Sequence, residues 1–255
     1  KDAQIIQIDA DHKMLGLVKP INVGICGDAK AVASVLCQKL ASETLNCDSS
    51  KADRASIIAN EKAVWELELD EWIHETDQYS MDMIANKEEG WLHPRQVLRE
   101  LEKAMPEDVM VSTDIGNINS VANSYLRFEK PRSFFAAMSF GNCGYAFPTI
   151  IGAKAAAQHR PAVSYAGDGA WAMSMVETMT CVRHDIPVTA VVFHNRHWGA
   201  EKKNQVDFYD RRFIAAELTD QHFVNIAESM GAEGIRVDKL EDVGPALKKA
   251  IDMQM

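Results

Sequence analysis

The chain has 255 residues, of which 47% are hydrophobic and 25% are charged, a composition that suits a globular protein with a sizeable core rather than a disordered one. Its net charge is −10, with thirteen acidic and four basic residues between positions 42 and 90, and the lack of a basic stripe disfavours nucleic-acid binding. The longest apolar run (186–193) is too short to span a membrane, the first residues do not resemble a signal peptide, and five irregularly spaced cysteines argue against disulfides, so we expect a cytoplasmic protein.

The first forty residues have the pattern expected at the end of an α/β unit. Strands are predicted over residues 4–8 and 21–26, and a helix from residue 28 to residue 40. Apolar residues then recur at helical spacing from 49 to about 78, which predicts a long amphipathic helix. The predicted domains are the end of a central α/β domain (1–48), a helical acidic connector (49–90) and a C-terminal domain (91–255).

Strands and helices alternate through the predicted C-terminal domain. Helices are predicted over residues 94–104, 117–126, 145–158, 171–183, 221–230 and 240–251. Strands are predicted over residues 109–112, 134–137, 162–165, 187–193 and 234–237. The polar segment 195–209 is assigned no regular element. This alternation predicts an α/β fold, a doubly wound parallel sheet with helices on both faces, preceded by the end of a second α/β domain.

The motif Gly167-Asp168-Gly169 follows one predicted strand, and Asn195 follows the next. Ligands of such sheets bind beyond the carboxyl ends of the strands, so the carboxylate and the carboxamide are placed to share one divalent cation. The amides of Gly169 and Ala170 would open the following helix and could face a diphosphate. A glycine-flanked aspartate by itself is also typical of an ordinary turn.

The segment GDGAWAMSMVETMTCVRHDIPVTAVVFHN resembles the cofactor signature of the acetolactate synthase and pyruvate decarboxylase superfamily, which uses thiamine diphosphate. The resemblance implies thiamine diphosphate and Mg²⁺ as cofactors. It also implies that Mg²⁺ is held by the side chains of Asp168 and Asn195 and by the backbone carbonyl of His197. The family often has a second asparagine before the ligand asparagine, and here that position is His194.

Two further segments are similar to cofactor loops of the same superfamily. SFGNCGYAFPTIIGAKAA resembles the glycine-rich segment that meets the aminopyrimidine ring, and DIGNIN resembles the diphosphate loop. Cys143 stands where the family usually has a bulky apolar residue that props the cofactor. The resemblance implies these cofactor-binding residues: Gly116, Asn117, Gly141, Asn142, Cys143, Gly167, Gly169 and Ala170.

Within the superfamily, HNRHWGAEKKNQVDFYDRRFIAAEL resembles the sulfoacetaldehyde acetyltransferases more closely than the acetolactate synthases. That branch implies 2-sulfoacetaldehyde and phosphate as substrates, and acetyl phosphate and sulfite as products. Because both substrates are anions, we hypothesise that Lys202 or Lys203 contacts one of them. On charge alone, a solvated basic loop is an equally good interpretation.

The resemblance also implies a preceding domain, which in the family supplies, from a neighbouring subunit, the glutamate that starts catalysis. No residue of this chain is assigned that role, so the isolated segment is expected to be inactive and the intact protein to be a homodimer or a higher homo-oligomer. Two alternatives stay open at this point: an acetolactate-synthase-like carboligase or decarboxylase, and a non-catalytic subunit that binds thiamine diphosphate.

Overall fold

The computed structural model describes residues 3–42, 50–73 and 92–254. The chain divides into two compact units, Lys1–Val64 and Trp65–Met255. No helix in the described ranges is long and apolar enough to cross a membrane.

The first unit contains a pair of parallel strands followed by a helix. Strands β1 (Ile6–Asp9) and β2 (Val23–Cys26) pair in register, with Ile6 opposite Val23. Helix α1 (Ala29–Ser42) follows, and Asp28 Oδ1 accepts a hydrogen bond from the Ala31 amide at 2.9 Å near its N-terminus. These three elements agree with the prediction to within two residues at each end. Helix α2 (Ser50–Trp72) contributes its last residues to the second unit.

The second unit is built on a four-stranded parallel sheet with the strand order β4-β3-β5-β6. Its strands are β3 (Met110–Thr113), β4 (Phe134–Ala136), β5 (Ala162–Gly167) and β6 (Thr189–Phe193). Its further helices are α3 (Pro94–Ala104), α4 (Asn117–Tyr125), α5 (Ala146–Ala156), α6 (Asp168–Ala172), α7 (Thr178–His184), α8 (Gly199–Phe208), α9 (Phe223–Ser229) and α10 (Leu240–Asp252).

Helices cover both faces of this sheet, and each face has its own apolar core. On one face, residues of α3, α4 and α10 pack against the alternate strand residues Val111, Val163 and Tyr165. On the other face, residues of α5, α6 and α9 pack against the neighbouring strand positions, including Met110 and Ala162. Strand residues alternate between the faces, so the central strands β3 and β5, which are covered on both sides, are buried along almost their whole length. The predicted doubly wound parallel sheet is confirmed.

The start of α3 shows how local sequence determines a helix end. Pro94 occupies the first helical turn, where its missing N–H is tolerated, and His93 Nδ1 accepts a hydrogen bond from the Arg95 amide at 3.3 Å. Val97, Leu98 and Leu101 then follow at helical spacing and are buried.

The helix predicted over residues 171–183 is wrong as a single element. The chain forms the short helix α6, a 3₁₀ turn at Met175–Glu177 and then α7. Ser174 lies at φ −128° and ψ 2°, outside the helical region, and its amide bonds to the carbonyl of Trp171 three residues back. Helical periodicity continues through this break, so the sequence pattern does not reveal it.

Two other predictions differ from the structure. Helix α8 occupies most of segment 195–209, supported by a Lys203–Asp207 ion pair one helical turn apart at 2.6 Å. The predicted strand 234–237 is wrong, because these residues have no paired neighbour in the sheet. Gly234 instead packs tightly on Val224 of α9.

The three predicted domains stay a prediction. The division between the two compact units falls at Val64, inside the predicted connector 49–90. The end of that connector, where the sequence places the boundary, lies outside the described residues.

Candidate functional site

Four loops meet at the edge of the sheet where its strands end. The chain passes from β3 outward to β4 and then returns to β5 on the other side of β3, so the strand order reverses between β3 and β5. In open α/β sheets, ligands bind in the crevice at such a reversal. The loops are residues 114–117 after β3, 137–145 after β4, 167–169 after β5 and 194–199 after β6.

Asp168 is the centre of this edge. It is the first residue of α6 and is only 3% exposed. Its Oδ2 accepts hydrogen bonds from the amides of Asn195 at 3.1 Å and Arg196 at 2.6 Å, and its Oδ1 accepts one from the Gly169 amide at 2.9 Å. The two predicted side-chain ligands, Asp168 and Asn195, therefore lie together at adjacent strand ends. The amide of Gly169, which the sequence places toward a diphosphate, donates to Asp168 here.

Asn195 begins a tight loop that leads into α8. Its Oδ1 accepts a hydrogen bond from the His197 amide at 3.1 Å, and Arg196 between them has a left-handed backbone with φ 62°. That conformation is unfavourable for an arginine and persists only where surrounding contacts hold it. A Cβ added to Gly199 would lie 3.3 Å from Asn117 Nδ2 and 3.5 Å from Asn195 Nδ2. Asn117, in the loop after β3, therefore lies close to Asn195 and Gly199.

Trp198 packs directly on the backbone of Gly169. A Cβ built on Gly169 would lie 2.8 to 3.0 Å from three carbons of the indole ring. Only glycine allows this approach, so the second glycine of the motif has a packing role as well as its predicted cofactor role. Gly167 precedes α6 with an extended backbone, and Ala170 is buried in the helix.

Asp114 is a functional candidate for which sequence reasoning assigned no role. Its side chain is fully buried, and it accepts hydrogen bonds from the amides of Gly144 and Ala146, both at 3.0 Å. Burial raises the pKa of this carboxyl, while backbone hydrogen bonds to Ala146, Ile115 and others oppose the shift. Asp114 therefore joins the loop after β3 to the loop after β4. The available signal was its position directly after a buried strand, the position that Asp168 occupies after β5.

The loop after β4 holds the remaining predicted cofactor residues. Gly141 and Asn142 are exposed and Cys143 is half-buried, with its Sγ 3.8 Å from the Ile115 carbonyl oxygen. Burial, followed by the charges of Asp114 and Glu201, raises the pKa of the Cys143 thiol, which favours a packing role over a nucleophilic one. Gly116 and Gly141 have φ of 136° and 76°, and a Cβ on either would meet nothing within 4 Å. Both glycines therefore border open space.

The two lysines proposed as anion contacts have different surroundings. Lys202 is 8% exposed, and its ammonium donates to Glu217 Oε1 at 2.5 Å. Lys203 is more exposed and pairs with Asp207 at 2.6 Å. Lys202 is thus buried in the protein, whereas Lys203 is half-buried and pairs with a residue of its own helix.

The two histidines beside Asn195 also contact carboxylates. His194 Nε2 lies 2.8 Å from Asp220 Oδ1, and its Nδ1 lies 3.4 Å from Asp168 Oδ2. His197 Nδ1 lies 2.8 Å from Glu217 Oε2. These contacts connect the Asn195 loop to the segment that precedes α9.

Among the described residues, no three His, Cys, Asp or Glu side chains are arranged to hold a metal ion. The predicted ligand set contains only one such side chain, that of Asp168, together with an amide and a main-chain carbonyl. Its role in metal binding stays a prediction.

Comparison with known proteins defines the class to which this fold and site belong. Residues 114–255 match the family described as thiamine pyrophosphate enzyme, C-terminal TPP binding domain. The match covers more than half of the chain, and the chain belongs to this family. A solved structure, the Rhodococcus jostii RHA1 thiamine diphosphate-dependent 4-hydroxybenzoylformate decarboxylase, has the same fold over 66% of this chain and 32% of its own, with a TM-score of 0.61 and 21% identity.

Closer similarity is found among curated sequences. Over its whole length the chain is 75% identical to the sulfoacetaldehyde acetyltransferase of Castellaniella defragrans and 72% identical to that of Alcaligenes xylosoxydans xylosoxydans. Identity to the acetolactate synthase large subunit of Corynebacterium glutamicum is 29%, over 98% of this chain and 38% of that protein. The chain spans 43% of the length of each of the first two relatives. The resemblance seen in the sequence is confirmed at the level of the family.

Proposed function

We propose that the full-length protein is a thiamine-diphosphate-dependent acyltransferase that converts 2-sulfoacetaldehyde and phosphate to acetyl phosphate and sulfite. The observation that carries this proposal is the 75% identity, along the whole chain, to a sulfoacetaldehyde acetyltransferase. Identity to an acetolactate synthase is far lower, at 29%, which favours the acetyltransferase over a carboligase. Such an activity belongs to sulfonate degradation, and we place it in the cytoplasm.

The residues at the sheet edge fit a magnesium ion that anchors the cofactor diphosphate. Mg²⁺ prefers oxygen ligands, and the site offers the Asp168 carboxylate, the Asn195 amide oxygen and the His197 carbonyl. The Asp168 carboxylate accepts three amide hydrogen bonds, and the Asn195 amide oxygen accepts one, so both keep acceptor capacity for a cation. We propose these three groups as the protein's magnesium ligands.

The glycine-bearing loops fit the body of the cofactor. Open space beside Gly116 and Gly141 allows a bound group to approach the backbone closely, and Asn117 borders the Asn195 loop. We propose that the cofactor contacts Gly116, Asn117, Gly141, Asn142, Cys143, Gly167, Gly169 and Ala170. When bound, thiamine diphosphate supplies the carbanion chemistry, and these residues contribute position and electrostatics.

Lys203 is our candidate for the contact with an anionic substrate. Its ion pair with Asp207 is partly exposed, and such pairs are weak enough in water to exchange partners. The active site of the family is shared between subunits, so we propose that the full-length protein works as a homodimer or a larger homo-oligomer, with a glutamate from another domain completing the site.

The reaction itself provides the test. Full-length protein stripped of metal with EDTA should release sulfite from 2-sulfoacetaldehyde only after thiamine diphosphate, Mg²⁺ and phosphate are all added, with one acetyl phosphate formed per sulfite. Formation of acetolactate from pyruvate without sulfite release would show a carboligase instead. Cofactor binding without any turnover would favour a non-catalytic subunit.

A further inference from the structure

The loop that carries the proposed magnesium ligands is held from two sides. Asp168 accepts the amides of Asn195 and Arg196 on one side. On the other side the loop pairs with residues 216–218 as a short antiparallel bridge: the Trp198 amide donates to the Ala216 carbonyl at 2.9 Å, and the Leu218 amide donates to the Arg196 carbonyl at 2.8 Å. The second contact does not depend on the GDG motif.

Side chains reinforce this bridge through Glu217. One carboxylate oxygen lies 2.5 Å from Lys202 Nζ, and the other lies 2.8 Å from His197 Nδ1. Lys202 Nζ also lies 3.4 Å from the ring nitrogens of His197 and 5.2 Å from the centre of the Phe213 ring. Glu217 therefore connects the first turn of α8 to the loop of residues 195–198, which carries the proposed magnesium ligands.

The environment of Lys202 indicates that its charge is used inside the protein. The residue is only 8% exposed, and its ammonium donates a hydrogen bond to Glu217 Oε1 at 2.5 Å. Because the Lys202 ammonium is buried, separating it from its carboxylate costs more free energy than separating an exposed ion pair would. The lysine next in sequence, Lys203, is more exposed, at 36% of its side chain.

We propose that Lys202 and Glu217 are positioning residues, which fix the loop from Asn195 to Trp198 in the geometry that binds Mg²⁺, and that Lys202 does not contact substrate. The inference rests on the proposed thiamine-diphosphate and magnesium site. In other metal sites, residues that hydrogen-bond to the metal ligands hold those ligands in the right orientation. The inference gives Lys202 and Glu217 this role.

The test measures metal affinity separately from substrate affinity. In full-length protein with a fixed excess of thiamine diphosphate, the Mg²⁺ dependence of cofactor binding is followed by titration calorimetry for Lys202→Met, Glu217→Gln and the double variant. We expect each single variant to weaken Mg²⁺ affinity by about 10- to 100-fold. Because both changes break the Lys202–Glu217 ion pair, the loss of Mg²⁺ affinity in the double variant should be smaller than the product of the two single losses. At saturating Mg²⁺, the KM values for phosphate and 2-sulfoacetaldehyde should match those of the wild type.

Lys103→Met is the matched control, because Lys103 forms an exposed ion pair with Glu100 at 2.8 Å on α3. It should leave Mg²⁺ affinity unchanged. Glu217→Gln keeps the shape of a largely exposed side chain, so it protects the test against a folding defect in Lys202→Met. Unchanged Mg²⁺ affinity in Glu217→Gln, or a higher KM for phosphate in Lys202→Met at unchanged Mg²⁺ affinity, would overturn the proposal. Failure of the wild type to bind thiamine diphosphate with Mg²⁺ would instead overturn the proposed site.

Discussion

The two halves of the candidate site are built in different ways. The Asp168 half (residues 167–169 and 194–199) surrounds a 3% exposed carboxylate that accepts three backbone amides. The Cys143 half (residues 137–145) is joined to the sheet edge by Asp114, while Met138 and Phe140 are 65% and 90% exposed. One half is a network of buried polar contacts, and the other is a surface loop with one buried anchor.

This difference has a physical consequence for cofactor binding. A buried, hydrogen-bonded group keeps its geometry without a ligand, whereas an exposed loop with few buried contacts opens at a lower free energy. The Asp168 half is therefore the preorganised part of the site.

Asp168→Asn should have the largest effect, because it removes the negative charge on which the Asp168 half is organised. We expect Mg²⁺ affinity in full-length protein with thiamine diphosphate to fall by about 100-fold or more. Mutation of residues that only support metal ligands already lowers metal affinity by about 10- to 100-fold. Titration calorimetry measures this effect. Asp238→Asn, in an exposed pair with Arg236, is the control. Equal Mg²⁺ affinity in Asp168→Asn and wild type would remove Asp168 from the ligand set.

Gly169→Ala tests the packing inside the same half. The new Cβ would lie 2.8 Å from the Trp198 ring, so the ring and its loop must shift. Overpacking of this kind reduces the free energy of unfolding by about 1–3 kcal/mol, measurable by urea denaturation. Gly152→Ala on α5 meets nothing within 4 Å and should be neutral or stabilising by about 0.5–1 kcal/mol. An equal free energy of unfolding in the two variants would show that the Trp198 ring moves aside without loss of stability.

Asp114→Asn tests the anchor of the Cys143 half. An amide cannot accept both loop hydrogen bonds as a carboxylate does, so the free energy of unfolding should fall by about 1–3 kcal/mol. Glu107→Gln, an exposed acid, is the control and should change stability little.

The pH dependence of Asp114→Asn has a defined sign. Because the pKa of Asp114 is raised above its usual 3.8, the folded chain holds this proton more tightly than the unfolded chain. Its stabilising contribution is complete below the unfolded pKa and is lost as pH rises through the folded pKa. The stability advantage of wild type over the variant should therefore shrink from pH 4 upward. An advantage that grows with pH would contradict the raised pKa.

Phe140→Ala should have the smallest effect on stability. Its side chain is 90% exposed, so we expect a change in the free energy of unfolding below about 0.5 kcal/mol. Phe147→Ala, which removes a 3% exposed ring packed on Trp171, should cost about 3–5 kcal/mol. A large loss of stability in Phe140→Ala would mean that the exposed loop is itself packed, and the contrast between the halves would fail.

Much of the fold could be predicted because it depends on local patterns. Short runs rich in apolar and β-branched residues predict the strands, and alternation of strands with amphipathic helices predicts a parallel sheet. Pro94 marks the start of α3, and the boundaries of most helices agree with the prediction to within two residues. The errors lie where the pattern is ambiguous, as at Ser174, or where pairing decides the outcome, as at residues 234–237.

Part of the site was predictable for a similar reason. Parallel strands end at one edge of a sheet, so residues that directly follow successive strands converge, as Asp168 and Asn195 do. The contacts of Glu217 with Lys202 and His197 join residues 15 and 20 positions apart, and Asp114 holds Gly144 from 30 positions away. Helical and strand periodicities relate residues only a few positions apart, so they do not predict these contacts.

The sequence by itself determined the order of the elements, the alternation that produces a doubly wound sheet, and the placing of one carboxylate and one carboxamide at strand ends. These properties follow from steric preferences and from the burial of apolar side chains, which act over a few residues. Only the tertiary structure decided that Trp198 lies on Gly169, that Asp114 anchors a distant loop, and that Glu217 holds Lys202 inside the protein. Those contacts form between segments that meet after the sheet has assembled, so they depend on the folded arrangement of the whole unit.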